Sequence, residues 1–299
     1  MTAVATPRAA TGSSAEPVAV NRRPFKWSTV GNIVAIVVII LWCLLPFYWM
    51  LVMSFRDPSY AFDSTPFFSH TTWSNYSYAF STENNHFGRS LVNSLIIGAV
   101  VTLVSMIVGV FAAYASARLQ FRGKSLLLSA MLAASMFPQV ALLTALFQLW
   151  TDFGWLGTYH GLIIPQIAFA LPLSVYTLTS FFTQMPWELE QAAKVDGATP
   201  FQAFRLVILP LAAPALFTTA ILVFLGSWND FLLSVNLYNN NDNVAPVTVA
   251  IAKFSAGPHV TPYTQSMAAG VIVTIPLVIV VLLFQRRIVS GLTAGGVKG

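Results

Sequence analysis

Long apolar stretches separated by short polar segments dominate the chain. Six of these stretches carry almost no charge and are at least 20 residues long. A helix of that length crosses the roughly 30 Å of hydrocarbon in a bilayer. They cover Ile33–Met53, Ser90–Ala117, Ser125–Trp150, Gly161–Phe182, Leu206–Asn229 and Ser266–Gln285. The apolar residues do not alternate in short blocks, as membrane-barrel strands would, so the pattern predicts six transmembrane helices.

Proline occurs inside or at the edge of several of these stretches. Neighbouring helices in a membrane satisfy the backbone groups that proline frees, so the prolines predict kinked spans. They are Pro46, Pro138, Pro165, Pro172, Pro210, Pro214 and Pro276.

Composition agrees with this interpretation and excludes a soluble domain. Hydrophobic residues make up 56% of the chain and charged residues 8%, with a mean hydropathy of +0.71. The first apolar run is too long for the core of a signal peptide, so it predicts a retained helix. The single cysteine, Cys43, excludes an internal disulfide. The predicted class is an all-α integral membrane protein.

The basic residues predict the orientation of the spans, because Lys and Arg near span ends stay on the cytoplasmic side. With six spans, twelve of the 15 basic residues fall on the side of the termini and three on the other. Both termini are therefore predicted to be cytoplasmic, which explains the net charge of +5 without a nucleic-acid partner. The predicted domains are a disordered N-terminal tail 1–29, a six-helix domain 30–286 and a C-terminal tail 287–299.

One polar segment, Glu188–Pro210, interrupts the apolar pattern in the cytoplasmic loop 184–209. Pro186 suits a first helical position, and Glu188 and Glu190 suit a first turn, where the helix dipole favours negative charge. Gly197 offers a stop for this short helix. The sequence therefore predicts one short helix before residue 197.

A second start signal follows at once, with Thr199 as a capping hydroxyl and Pro200 in the first turn. The next apolar residues recur at helical spacing, so this piece can lie along the membrane interface before Pro210 bends it inward. From these residues alone, an anchoring amphipathic helix and a docking site for another protein remain equally open.

The run EQAAKVDGATPFQAFRLVILPLAAP, residues 190–214, resembles the EAA loop of binding-protein-dependent ABC importer permeases. Trp228–Phe231 and the C-terminal GLTAGGVKG resemble the MalG-type permease subunits of carbohydrate importers, and the whole chain is similar to trehalose and maltose permeases. One position departs from the pattern: Gln191 stands where the family has its first Glu. Glu190 or Glu188 is the candidate replacement for that carboxylate.

The resemblance implies a type I ABC importer permease fold in a bacterial cytoplasmic membrane. It also implies partners: a second homologous permease, two cytoplasmic ATPase subunits that hold ATP and Mg, and an extracytoplasmic sugar-binding protein. This chain itself would bind no cofactor or metal and would not be an enzyme. Residues implied to couple to the ATPase are Glu188, Glu190, Gln191, Ala192, Ala193, Asp196, Gly197 and Ala198. The C-terminal residues implied to contact the ATPase are Gly295, Gly296, Val297 and Lys298, against the alternative of a frayed end.

Polar residues in the spans are candidates for a sugar path, and equally for helix packing. The candidates are Asn93, Ser135, Gln139, Gln166, Ser227, Trp228, Asn229 and Asp230. Those retained for a possible substrate path are Gln139, Asn93, Trp228, Asn229 and Asp230. Trp228, Asn229 and Asp230 combine an aromatic face with hydrogen-bonding groups, as sugar recognition requires. Capping or loop anchoring is the alternative for these three.

Two aromatic or polar segments, 54–89 and 231–264, are predicted on the outer side, where a binding protein would dock. The run Asn239–Asn243 within the second predicts a turn. The four histidines lack metal-ligand spacing. Two alternatives to the ABC permease remain: an ion-coupled carrier, which buried acidic residues in the spans would favour, and a non-transporting membrane scaffold.

Overall fold

The computed structural model describes the backbone of residues 27–81, 86–254 and 263–296. Within these ranges the regular elements are helices, and the backbone makes an isolated antiparallel bridge between Arg56 and Thr71. The chain divides into two compact units, Met1–Phe47 and Tyr48–Gly299. The first unit contains the beginning of the first helix, and the second contains the elements on which the candidate sites depend.

The helices follow one another with short connections. They are α1 Trp27–Phe55, α2 Ser74–Phe80, α3 Phe87–Arg118, α4 Lys124–Ser135, α5 Gln139–Phe153, α6 Tyr159–Gln184, α7 Glu188–Val195, α8 Pro200–Ala203, α9 Leu209–Leu211, α10 Ala213–Trp228, α11 Leu232–Leu237, α12 Val247–Phe254 and α13 Tyr263–Gly296. A 3-10 turn, Pro58–Tyr60, precedes α2, and a π-helical segment, Phe204–Ile208, joins α8 to α9.

Four of the predicted spans correspond to single long helices. α1, α3, α6 and α13 are each long and apolar enough to cross a membrane, with mean hydropathies between 1.6 and 2.9. The prediction of an all-helical membrane protein is therefore confirmed for the described residues. The prolines inside α1, α6 and α13 are accommodated without ending those helices.

The other two predicted spans are not single kinked helices, and the sequence interpretation was wrong on this point. α4 and α5 meet at an angle of 92°, and the stretch 200–211 meets α10 at 72°. Pro138 causes the first break, because proline removes a helical hydrogen bond and disfavours helical geometry in the residue before it. The second break falls at Ala212, two residues beyond Pro210. By length and composition, the described residues thus contain four helices that could span a membrane, or up to six spans if each bent pair counts as one.

α3 packs closely against α6 and α10 and forms the centre of the second unit. A Cβ built at Gly109 would lie 3.0 Å from the Ser174 Cβ of α6. One built at Gly98 would lie 2.9 Å from the Phe224 ring of α10. Small residues allow helices in a membrane to approach until backbone and side chain touch, and this packing holds them together in place of the hydrophobic effect.

The two predicted tails are only partly described. Residues 1–26 of the predicted N-terminal tail lie outside the described residues, while residues 27–29 already belong to α1. The predicted C-terminal tail from residue 287 continues α13 helically as far as Gly296. Val297 and Lys298 lie outside the described residues, so their implied role is not addressed by the structure.

Candidate functional site

The polar segment after α6 forms a helix, a turn and a second helix, as the sequence predicts. α7 begins at Glu188, and its cap residue is Trp187. Pro186 therefore precedes the cap and does not occupy the first helical position predicted for it. Glu188 and Glu190 lie in the first turn, where the helix dipole stabilises their charge. Residues 188–203, which include α7, the turn and α8, are called the elbow below.

α7 ends in a tight glycine turn. Gly197 has a φ of +91°, a conformation that side-chain-bearing residues rarely adopt. Its N–H donates to the Lys194 carbonyl at 3.1 Å, and the Ala198 N–H donates to the Ala193 carbonyl at 2.9 Å. These two bonds form a Schellman motif, which satisfies the last carbonyls of the helix. The turn thus fixes the direction in which the chain leaves α7.

α8 starts with a complete capping box. The Gln202 N–H donates to Thr199 Oγ1 at 3.3 Å, and the Thr199 N–H donates to Gln202 Oε1 at 2.8 Å. Pro200 occupies the first turn, where its missing N–H leaves no bond unmade. The π-helical segment after Ala203 then brings Phe204 and Ile208 into the core. The turn between α7 and α8 is therefore fixed by hydrogen bonds at both ends, from the glycine turn on one side and from the capping box on the other.

The predicted coupling residues divide into an exposed face and a buried face. Ala193 and Glu190 are buried, with Glu190 only 3% exposed. Glu188, Gln191, Ala192, Asp196 and Gly197 are exposed, and Ala198 is half-buried. Val195, beside them on α7, is 87% exposed. The elbow thus exposes small and polar groups together with three apolar side chains, Leu189, Val195 and Phe201.

Glu190 pairs with two cations of its own chain. Lys194 Nζ lies 3.0 Å from Glu190 Oε1, one turn further along α7. Arg118 Nε, at the end of α3, lies 3.6 Å from Glu190 Oε2. A buried carboxylate needs such partners, because its charge loses the stabilisation that water provides. Of the two carboxylates that are candidates to replace the family's Glu, Glu190 is thus buried and paired within its own chain, whereas Glu188 is exposed.

Arg118 holds the start of the elbow by two further contacts. Its Nη2 donates to the Met185 carbonyl at 3.1 Å, immediately after α6 ends. Its guanidinium lies 5.2 Å from the centre of the Trp187 ring, and Lys194 Nζ lies 5.5 Å from the same ring. Cations at such distances over an indole are attracted by its electron-rich face. The end of α3, the end of α6 and the first turn of α7 are thus joined.

A second group of predicted residues meets at a small polar cavity of about 160 Å³. Gln139 and Asp230 line it, together with Gln166 and Ser227. Gln166 Nε2 donates to Asp230 Oδ2 at 3.3 Å, and Ser227 Oγ donates to Gln166 Oε1 at 2.5 Å. The remaining walls are apolar side chains and small residues of α3, α6, α10 and α11. This polar cavity joins residues that lie far apart in the sequence.

Asp230 also caps α11. The Ser234 N–H and hydroxyl donate to Asp230 Oδ2 at 3.0 and 2.7 Å. Burial raises the pKa of Asp230 above its ordinary value, and the bonds from Ser234 act in the opposite direction. The carboxyl thus caps α11 and lies at the edge of the cavity.

The other three candidates for a sugar path do not reach this cavity. Asn93 is buried, donates to the carbonyls of Asn243 and Ala245, and accepts from the Tyr159 hydroxyl at 2.6 Å. Trp228 is 1% exposed and packs among apolar side chains of α2, α3, α12 and α13. Asn229 is exposed, and its amide donates to a carbonyl of its own helix. Their contacts are those of packing and anchoring.

The segment between α1 and α2 is folded around a buried arginine. Arg56 is 1% exposed and donates to the carbonyls of Asp63, Thr65 and Phe67. The aromatic side chains of this segment remain at the surface, including Phe62, which is 86% exposed. Sequence reasoning took Arg56 only as a topological charge and missed this role.

Sequence reasoning also missed the part that Arg118 and Trp187 play at the elbow. Arg118 entered only as one of the basic residues that set orientation, and Trp187 was not considered. The i, i+4 spacing of Glu190 and Lys194 was a readable local signal. The Arg118 contact was not readable, because 72 positions separate it from Glu190.

Apolar helices long enough to cross a membrane, together with an exposed polar elbow between two of them, define a multi-pass membrane protein. Comparison with known proteins identifies the family. The family described as "Binding-protein-dependent transport system inner membrane component" matches residues 105–293, more than half of the chain. The chain belongs to this family, and the resemblance drawn from residues 190–214 is confirmed.

Two relatives and one solved structure illustrate the similarity. The trehalose transport system permease protein SugB of Mycobacterium tuberculosis is 45% identical over 93% of this chain and 99% of its own length. The trehalose/maltose transport system permease protein MalG of Thermococcus litoralis is 42% identical over 89% and 96%. A chain in the crystal structure of a bacterial ABC transporter that imports alginate has a TM-score of 0.73 at 22% identity, covering 88% of this chain and 98% of that one. This last likeness concerns the fold alone.

Proposed function

We propose that this chain is one permease subunit of an ATP-driven importer for a sugar. The proposed substrate is a disaccharide such as trehalose or maltose. The elbow carries the proposal, because it is a rigidly capped, exposed helix-turn-helix at the position where the family has its ATPase-docking loop. Similarity to trehalose and maltose permeases over most of the chain supports the choice of a disaccharide.

The proposed topology counts each bent pair as one span, giving six spans with both termini in the cytoplasm. The twelve-to-three division of basic residues supports this orientation. It places the elbow in the cytoplasm and residues 56–73 on the outer side, where a sugar-binding protein would dock. The membrane is the bacterial cytoplasmic membrane.

ATP hydrolysis is proposed to lie on separate subunits. A phosphate-binding loop needs a glycine five positions before its Gly-Lys-Ser/Thr. The Gly-Lys-Ser run at Gly123 has Arg118 in that place. Two ATPase subunits with ATP and Mg, together with a second permease, would therefore complete the transporter. Closure of the ATPase pair would move the elbow and switch the pathway from one side to the other.

The exposed face of the elbow is the proposed ATPase contact. Ala192, Gly197 and Val195 let another surface approach closely without displacing long side chains. Gln191 supplies hydrogen-bonding groups, and Glu188 supplies the exposed carboxylate that Gln191 lacks. Glu190 and Ala193 act from the buried side, by holding α7 against the rest of the chain.

The polar cavity is the proposed contribution of this chain to the sugar path. Gln139, Gln166 and Asp230 offer donors and acceptors for hydroxyl groups. At about 160 Å³ the cavity is smaller than the roughly 300 to 1,000 Å³ of a typical small-molecule site, so the second permease would supply the larger part. Asn93, Trp228 and Asn229 serve as supports in this proposal.

The test is sugar uptake by the complex purified through a tag on this chain and reconstituted in liposomes. We expect uptake to require ATP on the ATPase side and to proceed without an ion gradient. A proton-coupled carrier is the second candidate, because Asp230 is an acid partly buried beside the cavity. Uptake driven by a pH gradient without ATP would support that carrier and refute the proposal.

A further inference from the structure

Arg118 links the elbow to α3, in addition to the covalent link between the elbow and α6. α7 follows α6 through Met185, Pro186 and Trp187, so the chain itself links the elbow to α6. Arg118 adds a second link, because it is the last residue of α3 and contacts Met185, Trp187 and Glu190. Its side chain is 7% exposed and the Glu190 side chain 4%, so water screens their attraction weakly.

We propose that the Arg118–Glu190 pair fastens α7 to α3, so that a displacement of the elbow moves α3 with it. Arg118 and Glu190 are positioning residues in this proposal, since neither is assigned a contact with the sugar or with nucleotide. The proposal rests on the proposed function, because it concerns how ATPase movement reaches the pathway.

α3 is suited to carry such a displacement. It is one unbroken helix of 32 residues, and at Gly98 and Gly109 it lies against α10 and α6 without room for an added methyl group. Val101 of the same helix lines the polar cavity. Seventeen residues separate Val101 from Arg118, or about 25 Å along the helix axis. A shift at the elbow therefore reaches the cavity through a rigid element.

The aromatic packing beneath the elbow supports the same direction of transfer. Tyr114, one turn before Arg118, lies with its ring 4.6 Å from Phe204 and 5.9 Å from Phe182. Phe204 opens the π-helical segment after the elbow, and Phe182 lies in the last turns of α6. The C-terminal end of α3 thus contacts the chain on both sides of the elbow.

The chain offers a matched pair of substitutions. Arg118→Gln removes the partner of Glu190 that lies on α3, whereas Lys194→Gln removes the partner that lies on α7 itself. Each substitution removes one of the two cations that pair with Glu190. Only Arg118→Gln removes the ion pair between α7 and α3. In the reconstituted complex we expect Arg118→Gln to lower the sugar transported per ATP hydrolysed by at least about tenfold. We expect Lys194→Gln to change this ratio by less than about twofold.

A distance measurement separates fastening from a simple loss of stability. Spin labels at Leu189→Cys and Leu119→Cys, both exposed in the structure and neither assigned to the ATPase contact, report the separation of α7 from the end of α3 in a Cys43→Ser background. With the Lys194→Gln complex, the distance should stay constant when ATP binds. With Arg118→Gln it should change or broaden.

An equal ratio of transport to hydrolysis in the two variants, or a constant distance in both, overturns the proposal. If Arg118→Gln complexes do not assemble, Glu190→Gln is compared with Lys194→Gln instead, since it removes the same ion pair from the side of α7. An unaltered ratio and distance in Glu190→Gln overturn the proposal equally. Failure of the proposed function looks different, because the unmodified complex would then transport without ATP.

Discussion

Gly197→Ala tests the shape of the elbow with the smallest change of side chain. Gly197 has a φ of +91°, and no atom lies within 4 Å of a Cβ built on it. The added methyl therefore meets no neighbour, and its effect comes from the backbone alone. Holding a non-glycine residue in such a conformation costs about 1 to 3 kcal/mol. At about 2 kcal/mol, the native turn would lose a factor of about 30 in population relative to distorted turns.

The chain contains a matched control in Gly123, between α3 and α4. Its φ is +89°, and a Cβ there also meets no atom within 4 Å. Gly123→Ala should therefore cost about as much backbone energy as Gly197→Ala while leaving the elbow intact. Both complexes would show similar losses in thermal stability.

Uptake per assembled complex separates the two variants. We expect Gly197→Ala to lower ATP-dependent sugar uptake by up to about 30-fold and Gly123→Ala to leave it within about twofold of the unmodified complex. Gly197→Asn should retain more uptake than Gly197→Ala, because Asn tolerates left-handed backbone better. Equal uptake in the Gly197→Ala and Gly123→Ala complexes would refute the reasoning.

Three further predictions concern other residues of the elbow and the polar cavity. Ala192→Trp, on the exposed face, should leave the chain folded and block ATPase docking. Ala193→Trp, on the buried face, should instead destabilise the fold by about 1 to 3 kcal/mol through overpacking. Copurification of the ATPase tests the first expectation, and thermal unfolding tests the second. Thr199→Ala should cost about 1 kcal/mol by removing the capping box, and it should speed hydrogen exchange at the Gln202 amide. Asp230 has a raised pKa in the folded state, so its contribution to stability is fully present below the unfolded pKa and is lost as pH rises through the folded pKa. Thermal unfolding across that range should therefore show less loss of stability with rising pH in Asp230→Asn than in the unmodified chain, and parallel curves would contradict this.

Local signals in the sequence predicted the elbow well, because each of its ends is set by adjacent residues. Glu188 favours the start of α7, Gly197 ends it, and the Thr199–Pro200 pair starts α8. Each of these effects reaches no further than about one helical turn along the chain. The long helices were equally predictable from their apolar length. The 92° break before Gln139 was not, because an apolar stretch around Pro138 does not indicate whether a helix bends or ends.

Contacts between distant parts of the chain account for most of what the sequence did not predict. Arg118 and Glu190 meet only because α3 and α6 end at the same level, which no local pattern encodes. Trp228 was a reasonable sugar-binding candidate from its residue type, yet it is buried against four other helices, α2, α3, α12 and α13. An aromatic side chain at a helix end suits either role, and tertiary packing decides between them.

The central claim is that the elbow seats an ATPase in the cytoplasm, and photo-crosslinking tests it most directly. A crosslinking side chain at Val195, 87% exposed on the elbow, is compared with one at Phe62, 86% exposed on the segment proposed to lie on the outer side. We expect Val195 to capture an ATPase subunit in intact membranes and Phe62 to capture none. Capture of the ATPase from Phe62, or its absence at Val195 in a complex that copurifies with the ATPase, would contradict the account.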